Sequence, residues 1–197
     1  MNIEDKLNQA QLFMNFIDEH MNGIKLSGDI RSRVFYSLLH LSLEHFGSIV
    51  ILVKNRMNGS AYALMRPQYE AVIRALYFQD CASNEEIEKF SSGKDPKGLF
   101  KMLEILDKGL ESDSVLNFYQ LLKNEMHAFT HGGLEQLNRR YSEEELISNF
   151  SEEECKKLIT LSQTLAGISA TCATAIAGRP DISDMILEKM NIDKIKS

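Results

Sequence analysis

The 197-residue chain has room for one domain with a few additional helices. Its 44% hydrophobic and 25% charged side chains are ordinary for a globular protein, and 11 Gly with 3 Pro are too few for a disordered or collagen-like one. Lys and Arg number 22 against 28 Asp and Glu, a net charge of −6, so the bulk field repels nucleic acid and acidic lipid.

The imbalance sits mostly in the second half. Residues 1–98 carry 11 basic and 12 acidic side chains, whereas residues 99–197 carry 11 and 16. Any role with RNA therefore rests on a local cluster of cations. Val34–Val53 is long enough for a membrane span, but it contains His40, Glu44, His45 and three serines, so it reads as a buried core helix. The opening MNIEDKLNQAQ lacks the basic-then-apolar run of a secretory signal. Cys81, Cys155 and Cys172 are widely spaced and form no CxxC pair, which predicts reduced thiols and a cytoplasmic protein with no membrane partner.

Helical periodicity dominates the chain. Leu7, Leu12 and Phe16 mark a first helix over Ile3–Met21. Asp29 caps a long second helix running towards Met57, apolar on nearly all sides and so central. Asn58-Gly59 is expected to end it. Ser60 then opens a third helix to about Cys81, bent or restarted at Pro67, which has no N–H to bond back one turn. Ser83 and Glu86 form a capping-box pattern before a short helix to Phe90, and SSGKDPKG (Ser91–Gly98) is a loop. Helices over Leu99–Lys108 and Asp113–Thr130 follow, the second stopped by His131-Gly132-Gly133.

Leu134–Arg140 adds a turn or two. Ser151 with Glu154 opens a long helix to Ala177, halted by Gly178 and Pro180, before a tail helix over Ile182–Met190. No window alternates as a strand does. The expected fold is all-α: an antiparallel bundle with two long core helices and shorter flanking ones. It forms a single domain over 1–197 with a core at about 29–178, and the terminal helices pack as additions. The run AGISATCATAIAG (Ala166–Gly178) is nearly all small residues, which permits close helix approach within the bundle or across a homodimer interface.

Three clusters carry candidate chemistry. His40 and Glu44 share a face of the second helix with His45 beside them, either as a satisfied core pair or as the lining of a polar pocket. Arg66, Glu70 and Arg74 recur at four-residue intervals, either as an ion-pair ladder or with an arginine aimed at a phosphate and Glu70 orienting it. The third is KNEMHAFTHGG. Lys123, His127 and His131 share one face there, with Asn124 beside Lys123 and Arg139 and Arg140 a short way beyond.

Two histidines one turn apart suit acid/base transfer or a metal, and a cationic histidine also suits a helix C-terminus. A looser alternative is a carboxylate–histidine metal bundle from Glu44, Glu70, His127 and His131. No phosphate-cradling glycine loop and no nucleophile elbow is present, and no cofactor is expected.

An all-α bundle of this size, with R-P-x-x-E in a middle helix and F-T-H-G-G ending a later one, resembles uncharacterised bacterial members of the HEPN-like (higher eukaryotes and prokaryotes nucleotide-binding) superfamily. The resemblance is best over Ser32–Arg140. It implies a dimeric, metal-independent RNA endonuclease of the kind found in toxin–antitoxin and anti-phage systems, with RNA or a nucleotide as ligand and an antitoxin as a partner protein. Its catalytic histidine would be His131 or His127 and its polar residue Asn124. Arg66, Arg74, Arg139 or Arg140 would supply phosphate binding, because Lys123 stands where the superfamily has its arginine and the spacing to either histidine departs from the pattern. The competing expectation is a non-enzymatic helical module that binds a partner protein, nucleotide or small ligand.

Overall fold

The computed structural model describes residues 1–94, 97–111, 114–130, 134–142 and 144–195. For Ser114, Leu121, Glu125, His127, Thr130, Ser142 and residues 191–195 it describes the backbone alone. The bundle comprises α1 (Ile3–Met21), α2 (Ile30–Lys54), α3 (Asn58–Asp80), α4 (Asn84–Ser91), α5 (Leu99–Gly109), α6 (Ser114–Thr130) and α7 (Leu134–Asn138). After a short hairpin of two-residue strands, β1 (Tyr141–Ser142) with β2 (Glu145–Leu146), come α8 (Glu152–Ile176) and α9 (Pro180–Ile195).

Caps set most of these boundaries. Asn2, Asp29, Ser83 and Ser151 each accept a hydrogen bond from a first-turn backbone N–H, and Ser83 and Ser151 complete reciprocal capping boxes with Glu86 and Glu154.

The α2–α3 junction differs from the expected one. Arg56, not Gly59, takes the left-handed step (φ 59°), and the N–H groups of Arg56 and Met57 close back onto Val53 and Leu52. Asn58 and Gly59 are thereby already helical. Gly59 has a packing role instead, because the Arg140 guanidinium lies where its side chain would be. Helix α3 also runs unbroken through Pro67. The proline leaves the Ala63 carbonyl without its helical donor, and packing on both sides of α3 offsets that cost. Pro180 starts α9 rather than merely ending α8, since proline at a first helical position loses nothing. The hairpin was not expected. It pairs Tyr141 with Leu146 and Ser142 with Glu145, too few residues for an alternating pattern to register.

The two long helices α2 and α8 form the core, and α3 packs on both. Ser42 meets Ser169 at 2.9 Å where α2 and α8 cross antiparallel. Gln68 donates to the Ser162 carbonyl (2.9 Å) and accepts from its hydroxyl (2.6 Å), so α3 and α8 run parallel through a fully buried polar contact. Helices α1 and α9 contribute Phe13, Ile17, Ile182 and Ile186 to this same core. Helices α2 and α8 are long and apolar enough to cross a membrane. About half of each apolar window (44% and 56%) is buried inside the bundle.

Candidate functional site

Helices α3 and α6 pack antiparallel. The Tyr62 ring lies 4.6 Å from that of Phe129, and Tyr69 lies 6.0 Å from both Phe118 and Tyr119. Interpolating along this pair puts Arg66 level with Lys123 and Asn124. The helix carrying R-P-x-x-E therefore lies directly against the one carrying K-N-E-M-H. Phe150 joins the rings, 5.4 Å from Tyr62 and 5.9 Å from Phe129.

Over this aromatic floor opens a cleft of about 390 Å³. Asn124 and Ala128 of α6 line one side, Glu135 and Arg139 another, and Glu154 and Lys157 of α8 a third. Asn124 and Lys157 are exposed. The Tyr62 hydroxyl donates to the Glu154 carbonyl (3.0 Å), which ties the floor to α8.

Arg139 is the most connected cation here. Its Nε lies 3.0 Å from Glu135 Oε1 and its Nη1 lies 2.6 Å from Glu154 Oε1. Nη1 also donates to the Asn149 carbonyl (3.2 Å), and the guanidinium sits 5.2 Å from the Phe150 ring centroid. Burial opposes its charge, yet the hydrogen bonds and fields of Glu154 and Glu135 raise its pKa above the usual arginine value. Glu154 mirrors it. Burial pushes that carboxyl up, and the Ser151 N–H and hydroxyl together with Arg139 outweigh this and hold it below its ordinary value.

The other expected residues distribute as follows. Arg66 Nε pairs with Glu70 Oε1 at 2.7 Å, both half-buried, so the ladder's first rung forms; Arg74 is half-buried one turn further on. Lys123 is half-buried on α6. Arg140 is exposed over the first turn of α3 rather than in the cleft. His127 lies in α6, but its side chain is outside those described, and His131 lies outside the described residues altogether.

His40 and Glu44 do not form the expected pair. Both are exposed, and His40 lines a separate trough beside α1. Glu70 is engaged by Arg66, and among the described residues no three His, Cys, Asp or Glu side chains cluster as metal ligands would. The cysteines are free thiols, each raised in pKa by burial.

Of the residues that line the cleft, the sequence reading named Asn124 and Arg139 and did not name Tyr62, Phe129, Glu135, Glu154 or Lys157 as site residues. The Glu154 signal was present but was spent on the capping box. The same carboxylate caps α8 and clamps Arg139.

Fold and cleft together define an all-α helical-bundle protein with an aromatic-floored, charge-balanced cleft. Within that class the chain belongs to DUF6988, a family of unknown function whose model matches residues 39–191. No curated protein and no solved structure matches the chain.

Proposed function

We propose that this protein is a HEPN-like helical module that binds an unpaired ribonucleotide, free or within an RNA strand, in the cleft between α3, α6 and α8. The observation that carries this reading is the cleft itself. It combines an aromatic floor with an exposed amide, Asn124, and an exposed ammonium, Lys157, where the two motif-bearing helices pack together. Unpaired bases are recognised by that combination: apolar ring contact, an amide reading the base edge, and a cation for the phosphate.

Arg139 and Arg66 are both held by carboxylates, which favours binding over phosphate-directed catalysis. The two carboxylates and two cations of the cleft walls cancel, so binding depends little on bulk charge. One phosphate contact gives a slope of about −0.7, so affinity falls only roughly threefold between about 50 and 200 mM salt.

The test is fluorescence anisotropy with a labelled single-stranded RNA in EDTA, with AMP as competitor, for wild type, Asn124→Ala and Lys157→Ala. Both variants are expected to weaken binding with helix content unchanged. Absent binding, or binding indifferent to both substitutions, refutes the assignment. The same samples run on a gel report cutting. Cleavage by wild type but not by His131→Ala would replace the binding module with a metal-independent ribonuclease.

A further inference from the structure

A second concavity of about 400 Å³ opens at the other end of α8, between α1, α2 and the connection joining them. From Glu154 to Ala173 is 19 residues of helix, about 28 Å at 1.5 Å per residue, so it is separate from the cleft above. Its volume lies within the range of small-molecule sites, about 300–1,000 Å³. The floor is Ile17, Leu39 and Ala173, all buried, and Ile24 and Leu26 overhang it from the connection. Leu26 is 50% exposed, an apolar wall left open to water.

Polar groups occur at the rim. The Asp18 carboxylate, the Tyr36 hydroxyl and the His40 imidazole all line the trough, with Asp18 and His40 exposed and Tyr36 half-buried. The lining includes an aspartate but no lysine or arginine. An apolar floor with a carboxylate at its mouth matches a particular chemistry. We propose that this trough binds a small organic cation: an apolar, ring-sized body against Ile17, Leu39 and Ala173, with a protonated amine at Asp18. Tyr36 and His40 offer the amine or a neighbouring hydroxyl further hydrogen bonds. The site is independent of the nucleotide cleft, and it gives His40 the pocket-lining role that its sequence position suggested without the partnership of Glu44.

The test uses phenethylammonium and 3-phenylpropionate, which share an aryl-ethyl body but carry opposite charges. Each is titrated into the full chain and followed by NMR at Tyr36, His40 and the Leu39 methyls. Phenethylammonium is expected to saturate, at least about fivefold tighter than the carboxylate, in line with a partly exposed charge-assisted hydrogen bond. Asp18→Asn, an exposed substitution that keeps the fold, is expected to bring the two probes within about twofold. Leu26→Ala is expected to weaken both equally.

The absence of saturable amine binding, equal affinity for the two probes, or an unchanged preference in Asp18→Asn overturns the proposal. So do shifts that appear at Tyr62 and Asn124 instead, since those residues belong to the other cleft.

Discussion

Arg139 tests the distinction between a structural strut and a ligand-binding cation, because the sequence marks it for phosphate and the structure gives it other partners. Four contacts are lost in Arg139→Ala. The 2.6 Å contact to Glu154 joins side chains 25% and 34% exposed, so solvent screening holds it to about 1 kcal/mol. The Glu135 pair is one helical turn apart on a more exposed surface and adds about 0.3–0.5 kcal/mol. The bond to the Asn149 carbonyl contributes about 0.5–1 kcal/mol, and the guanidinium over Phe150 about as much again.

The total, about 2.3–3.5 kcal/mol, corresponds to a fall in Tm of roughly 5–14 °C for a chain of this length. Arg139→Lys keeps the charge but loses the planar fork that reaches two carboxylates, and it should recover less than half of the loss. Thermal and urea melts give the magnitude. Hydrogen exchange at Ile147, whose N–H bonds to the Arg140 carbonyl, should accelerate as the 134–150 segment loosens. If Arg139→Ala melts with wild type while losing RNA affinity, the strut assignment is wrong and the arginine serves the ligand.

Three further outcomes follow from the same contacts. Arg31 caps the end of α3, donating to the carbonyls of Phe78, Gln79 (3.2 Å) and Ala82 (2.8 Å); Arg31→Ala should cost about 1–2 kcal/mol in a urea melt. Ser162→Ala leaves the buried Gln68 Oε1 without its donor and should cost about 1–3 kcal/mol, with Gln68→Met in the same chain recovering part of it in a double-mutant cycle. Glu154 is held below the 4.5 of an unfolded glutamate, so its contribution is complete above about pH 4.5 and is lost as pH falls through its lower folded value. The Tm of wild type should therefore fall further below pH 4.5 than that of Glu154→Gln.

The fold was legible because its signals are local. Asp29, Ser83 and Ser151 announce helix starts within a few residues, and the apolar stripes of α1 and α5 need no distant partner to be read. The α2–α3 junction was misread for a reason of energy balance. Glycine is the cheaper left-handed residue, but Asn58 and Gly59 are already buried in the first turn of α3, so Arg56 takes the left-handed step and Gly59 lies under Arg140.

The cleft was legible only in part. Asn124 and Arg139 are close enough in sequence to be grouped, whereas Tyr62 and Lys157 reach the cleft through tertiary packing, which no local spacing encodes. The expected ladder of Arg66, Glu70 and Arg74 is a helix-local prediction, and its first rung, Arg66 with Glu70, forms.

The small-residue run in α8 bears on whether a second copy is needed to cover it. Ser169 meets Ser42 of α2, Ala166, Ala170 and Ala173 are buried, and a Cβ on Gly167 would overlap Met190 Sδ of α9. The three atoms nearest that position all belong to Met190. The glycine therefore serves contact with the chain's own tail helix. Glycine inside a helix costs about 0.5–1 kcal/mol relative to alanine, and that cost is tolerated here because Met190 fills the space.

Gly167→Ala alone should be close to neutral, since the helix gains propensity while Met190 is displaced. In a Met190→Ala background the reason for the glycine disappears, and Gly167→Ala should then stabilise by about 0.5–1 kcal/mol, read as the difference between two urea melts. If alanine destabilises that background, Gly167 faces something other than α9. A second copy of the chain against this stripe would then be the next contact to test by sedimentation.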